Sequence, residues 1–236
     1  MLLTFSLFVC KAQINYQPGY AILNDGTRIS GSIRVYDDEP WTNQRFIWLK
    51  DSAAFAADPK VRAKKYKVDD LKFYMVASRA FDKVHFVDVG NLQLKSLGTN
   101  DHMMERLAIG RITAHRFYSY PADFDVIYAR NDEDLKAQEQ KKKDDIVKAY
   151  KILLIKDNET KPQDAFDTDM PKYLGEVPEV SQKFQNGAYG NEPTTPKKGL
   201  AAKMISMARK TTFKSNEADA VIAAVNEYNQ KSPVKK

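Results

Sequence analysis

Residues 28–35 alternate apolar and polar positions without a break. Ile29, Gly31, Ile33 and Val35 fall on one face, and Arg28, Ser30, Ser32 and Arg34 on the other. A period of two predicts a half-buried antiparallel strand. The apolar run before it, 20–23, is joined to it by Asn24-Asp25-Gly26-Thr27, residues that tolerate the left-handed backbone of a tight turn, so the two form a hairpin. Phe46, Ile47, Trp48 and Leu49, within 45–50, are apolar on both faces and predict a more central strand. Asp58 and Pro59 mark a loop. Further strands are expected at 66–68, 71–76, 81–89 and 92–97, divided by breaks at Asp69, Ser78 and Gly90, a spacing tight enough for a meander.

A short helix is expected next. Asp101 would cap it, Met103, Met104, Leu107 and Ala108 recur at helical spacing, and Gly110 would stop it. Strands return at 111–120, ending at Pro121, and at 124–130 and 150–155. The segment 131–145 mixes Lys141, Lys142 and Lys143 with six acids, and reads as a solvated helix or a hairpin tip. Beyond Lys161 the period becomes helical. Asp169 and Pro171 open a short helix ending at Gly175, and Pro178 opens another that stops at Asn186 and Gly187. Residues 191–199 form a Pro/Thr linker. A basic stretch, 200–210, follows, and then a helix capped by Asn216 with Val221, Ala224, Val225 and Tyr228 on one face. The expected class is α+β: a mainly antiparallel β meander or partly closed barrel with a helical C-terminal region. The expected segments are a β-rich domain at 13–160, short helices at 161–190, a linker at 191–199 and a basic helical segment at 200–236.

Hydrophobic residues make up 43% and aromatics 11% of the 236 residues, enough for a core rather than a disordered chain. Residues 1–12 are an apolar run with Cys10 and Ala12 where a signal peptidase would read, which predicts a secretory signal removed before Gln13. The run is too short to span a bilayer. Lipidation of Cys10 is the alternative fate, although Val9 is bulkier than a lipobox prefers. Cys10 is the sole cysteine, so cleavage would leave no thiol for a disulfide, a nucleophile or a metal. The net charge of +6 resides entirely beyond Pro196, where nine Lys or Arg face three acids.

Local motifs for chemistry are few. His85, His102 and His115 are the only histidines; His102 and Glu105 would share a helix face, with Asp101 adjacent, but one ligand pair is not a zinc site. Ser30-Gly31-Ser32 lies in a strand and is not a strained nucleophile turn. The pairs Asp69/Asp70, Asp123/Asp125 and Asp167/Asp169 read as turns and caps before they read as a glycosidase pair. Asp164, Asp167 and Asp169 lack the glycine and glutamate of a calcium loop. No cofactor is expected. The basic stretch offers Lys203, Met204, Met207, Arg209 and Lys210 as candidate partner-binding residues, an apolar stripe flanked by cations suited to an anionic surface or an acidic partner.

Three stretches carry a resemblance. One is the hairpin 19–35. The second runs from Tyr66 through Val68-Asp69-Asp70-Leu71 and Phe81-Asp82-Lys83-Val84 to Met104-Glu105-Arg106-Leu107 and Gly110-Arg111-Ile112. The third joins Val177-Pro178-Glu179 and Asn186-Gly187-Ala188-Tyr189-Gly190 to Val225-Asn226-Glu227-Tyr228-Asn229. Together they cover about two thirds of the chain, which resembles the exported, uncharacterised conserved proteins common in Bacteroidota. The resemblance implies export and an uncharacterised function, and the expected location is the periplasm or the outer membrane. The expected function is a non-enzymatic envelope binding or scaffolding module, its partner an envelope protein or anionic surface rather than nucleic acid. The alternative is a hydrolase of an envelope glycan or peptide using histidine or carboxylate residues.

Overall fold

The computed structural model describes residues 15–88, 100–121, 129–194 and 215–233, with side chains from 217 in the last segment. Ten antiparallel strands form one sheet in the order β10-β9-β8-β7-β6-β5-β1-β2-β3-β4. They are β1 (Tyr16–Leu23), β2 (Arg28–Arg34), β3 (Phe46–Asp51), β4 (Lys64–Lys67), β5 (Leu71–Val76), β6 (Arg79–His85), β7 (Asp101–Ala108), β8 (Ile112–Phe117), β9 (Lys151–Lys156) and β10 (Gln163–Asp164). The antiparallel meander with C-terminal helices is therefore the observed class.

The connectivity forces curvature. A single 3₁₀ turn, Val68–Asp70, joins β4 to β5, although β3, β2 and β1 lie between them in the sheet. A flat sheet would set those strands about 19 Å apart at about 4.8 Å per strand, beyond the roughly 14 Å that four residue steps can span. The first five strands must curl, and they do so without closing, since β4 and β5 are not hydrogen-bonded neighbours. Ala21, Ile33, Ile47, Leu49, Tyr66, Leu71 and Tyr74 fill the concave side, with Tyr74 stacked on Phe81 at 4.3 Å between ring centres. Gly31 permits the close approach of β2 to β3, because a Cβ there would lie 1.9 Å from the Lys50 carbonyl oxygen.

The same sheet continues into β6–β10, and there helices cover the inner face. These are α4 (Met170–Tyr173), α5 (Pro178–Gln185) and α6 (Ser215–Lys231); the earlier helices are α1 (Pro40–Asn43), α2 (Ser52–Ala57) and α3 (Asp132–Lys148). Val221, Ala224, Val225 and Tyr228, the face expected from sequence, pack on Ala108, Ile112, Ala114, Ile152 and Leu154. Burying side chains of the size of Val225 and Tyr228 stabilises by about 1.5–3 kcal/mol each. α3 buries no residue, carries Asp132, Glu133 and Asp134 in its first turn and is capped by Asn131, whose side chain accepts from the Asp134 N–H at 2.8 Å. It is the solvated helix of the two readings.

One expected element is corrected: residues 101–108 form β7, not a helix. Its neighbours β6 and β8 are hydrogen-bonded on either side, and Met103 and Met104, on opposite faces, are both fully buried. A strand with core on both sides loses its alternation, which is why its apolar spacing imitated a helix. The expected strand at 92–97, most of that at 124–130, the signal at 1–12 and the basic stretch 200–210 lie outside the described residues.

A buried polar pin joins the two parts of the sheet. The Gln44 side chain donates to the Tyr118 carbonyl at 2.8 Å and accepts from the Tyr118 N–H at 2.7 Å, while the Gln44 backbone carbonyl accepts from Met103 N–H at 2.9 Å. The amide thus acts as one rung of a sheet where β8 ends. Asn43 does the same for Tyr36, bonding its N–H and carbonyl at 3.1 and 2.9 Å.

Candidate functional site

The groups that sequence singled out for chemistry are placed apart. In a strand, His102 and Glu105 point to opposite faces, so the expected pair does not converge. His102 is fully buried; Nε2 donates to the Phe86 carbonyl at 3.1 Å and Nδ1 accepts from the Tyr120 hydroxyl at 3.0 Å, a proton assignment set by the carbonyl. Burial pushes its pKa down to about 4, so it is a neutral core residue edge-on to Phe117. His85 lies exposed, 2.8 Å from Asp101. His115 donates Nε2–H to Asp82 at 2.9 Å, and Asp82 also accepts two bonds from Arg106. Burial opposes ionisation of Asp82, yet these donors outweigh it and hold its carboxyl below the usual range.

Other acids of this half are paired in the same way. Glu105 binds Arg79 at 2.9 Å and Arg116 at 3.1 Å. Arg111 bridges Asp157 at 2.7 Å and Glu176 at 2.9 Å, and Lys156 joins Glu176 at 2.5 Å. Lys183 meets Glu227 at 2.9 Å, and Lys231 meets Glu179 at 2.6 Å. Asp164 accepts from the Phe166 N–H and Asp169 caps α4, as turn and cap residues do. Asp123 and Asp125 lie outside the described residues. Among the described residues no three His, Cys, Asp or Glu gather as metal ligands, and no helix is long and apolar enough to cross a membrane.

The distant motifs of the resemblance meet at one junction in this half. Asn229 of α6 donates to the Ile112 carbonyl at 2.7 Å and accepts from the Ile112 N–H at 2.9 Å. Gly110 leaves the room, because a Cβ there would be 2.3 Å from the Asn229 side chain. Tyr189 donates to Glu227 at 2.7 Å. These motifs fasten helices to the sheet.

The outer face of β1–β4 is built on a different rule. Acids in the turns and caps beside it serve the backbone: Asp25 accepts from Thr27 N–H, Asp51 from Ala53 N–H, Asp58 from Lys60 N–H and Asp70 from Lys67 N–H, while Asp37 and Glu39, after β2, pair with Arg79 and Lys143. Its cations lie over aromatic rings instead. Arg28 sits 3.7 Å from the Tyr20 ring centre, Arg34 4.4 Å from Tyr36, Lys50 4.5 Å from Tyr16, and Lys65 3.7 Å from Phe46 and 6.0 Å from Trp48. Among the described residues none of these four cations has a carboxylate partner. Such stacking steadies a cation by about 0.5–1 kcal/mol and leaves its charge in place.

The strand registers align this chemistry in a row. Tyr16 is opposite Arg34, and Trp48 is opposite Lys65; the Ile33↔Leu49 rung places Arg34 and Trp48 one step further on adjacent strands. Four strands therefore present ring, cation, ring, cation side by side, with Tyr16, Arg34 and Trp48 half-buried and Lys65 exposed. Sequence had identified Arg28 and Arg34 as the polar face of β2 and Trp48 as part of a central strand. It missed the row because cross-strand register is not local. The expected partner-binding residues Lys203, Met204, Met207, Arg209 and Lys210 lie outside the described residues. Compared with protein-family models, curated proteins and solved structures, the chain matches none.

Proposed function

We propose that this chain is an exported, non-enzymatic binding or scaffolding module of the cell envelope, and that the outer face of β1–β4 is the surface it offers to its partner. One observation carries the reading: among the described residues Arg28, Arg34, Lys50 and Lys65 are held over rings without a carboxylate partner, whereas Arg79, Arg111, Arg116 and Lys183 in the other half pair with Glu105, Asp157 and Glu227. Groups suited to acid–base work are engaged in fastening strands and helices, which favours binding over hydrolysis. The apolar leader with its small residues at 10 and 12 supports export.

The test is capture from an envelope fraction with the purified full chain, comparing wild type with the double variant Arg34→Gln/Lys65→Gln. The reading expects bound envelope material to be recovered unaltered and to be lost with the variant. Turnover of an envelope polymer, with capture unaffected by the variant, would overturn it in favour of a hydrolase.

A further inference from the structure

We infer that the outer face of β1–β4 binds an acidic polysaccharide, with sugar rings lying against Tyr16 and Trp48 and the anionic substituents taken by Arg34 and Lys65. The inference rests on the binding-module reading and names its ligand class.

Charge comes first. Arg28, Arg34, Lys50 and Lys65 share one face with Tyr16, Tyr20, Phe46 and Trp48, and among the described residues no carboxylate neutralises any of the four. An anionic partner would supply what the chain withholds. The rings add a second requirement. They are half-buried, so each leaves apolar area for a ligand that brings C–H groups as well as charge. Simple phosphate or a bare anion would use the cations and waste the rings.

Spacing then separates ring-bearing polyanions. Adjacent strands are about 4.8 Å apart, so in the Tyr16, Arg34, Trp48, Lys65 row a ring-plus-cation unit recurs at about 10 Å along the backbone, widening toward the side-chain tips on this convex face. That is the length of two pyranose units, matching a glycan with one acid per disaccharide or one acid on alternate residues facing the sheet. It is longer than one nucleotide step. A sugar acid pairs its own carboxylate with the cations of this face and leaves them in position.

The probes are an oligogalacturonate hexamer, its methyl ester and a thymidylate decamer, each titrated into the full chain and followed by tryptophan fluorescence. Trp41 is buried and Trp48 lies on the face, so the signal reports the row. Binding of the acidic hexamer is expected, weakening with added salt, with no response to the ester. Arg34→Gln/Lys65→Gln should bind roughly tenfold or more weakly, while its circular dichroism matches wild type and its unfolding midpoint falls only slightly. Trp48→Ala, read by calorimetry, should also weaken binding. Tighter binding of the decamer than of the hexamer, or equal binding of hexamer and ester, overturns the glycan assignment. So does absence of hexamer binding. In each of those cases the module reading survives if variant-sensitive capture from the envelope fraction persists, and falls if that capture is absent as well.

Discussion

The two halves of this sheet handle charge in opposite ways. From β6 onward, Arg79, Arg106, Arg111, Arg116, Lys156, Lys183 and Lys231 each meet a carboxylate on another element, so the charges act as fasteners between strands and helices. On β1–β4 the acids cap turns and helices while cations stack on rings and keep their charge. The first half is held chiefly from within, its curl fixed by Ile33, Ile47, Leu49 and Tyr74 inside it and by the Gln44 pin at its margin, with the outer cations adding only their ring contacts. The charge they keep is available for a partner.

The contrast breaks most sharply at Glu105. Its carboxylate is shared by Arg79 and Arg116 and is largely buried, so Glu105→Ala strands two arginines and should cost about 3–4 kcal/mol in chemical denaturation. If the loss is under 1 kcal/mol, the fasteners of this half are ornamental and the contrast fails.

Next in size is a pH effect from His102. Its native pKa is depressed to about 4 from an unfolded value near 6.5, so between these values the unfolded chain takes up a proton that the native state refuses. Stability is therefore full above about pH 6.5 and falls as pH drops toward 4, by about 3 kcal/mol from this residue. Lowered carboxyl pKa values such as that of Asp82 act in the same direction at the acid end, so the measurement is the difference between wild type and His102→Gln. The variant should have the flatter curve between pH 6.5 and 4.

At the junction, Asn229→Ala removes two hydrogen bonds to Ile112 and leaves backbone groups at the start of β8 unpaired, an expected loss of about 2 kcal/mol by the same assay. Gly110→Ala should be destabilising as well, and the double variant should cost less than the sum because shortening residue 229 makes the room that alanine needs.

The smallest effect sharpens the contrast from the other side. Arg34→Gln/Lys65→Gln should cost only about 1 kcal/mol of unfolding free energy, roughly 0.5 kcal/mol for each cation–ring contact it removes. A loss of 2 kcal/mol would show that these cations are fasteners too.

Much of this was legible in the chain, and the limits have physical causes. The alternation of β2 and the apolar stripe of α6 identified both elements and their buried faces, because each has one face in the core and one outside it. β7 was misread because core lies on both of its sides. Gln44 gave no signal, since its partner Tyr118 is 74 residues away and a buried amide looks like any polar residue in a turn. The Tyr16, Arg34, Trp48, Lys65 row was half visible: the polar face of β2 and the aromatics of β3 could be read, but their alignment depends on the register of three strand pairs.

An amide chemical-shift map of the full chain during titration with the acidic hexamer decides whether the ligand lies on the first half of the sheet. The largest shifts are expected in β1–β4, around Tyr16, Arg34, Trp48 and Lys65, with α6 and the Arg111 junction unchanged. Shifts concentrated in residues 200–210 or along α5 and α6 would contradict it.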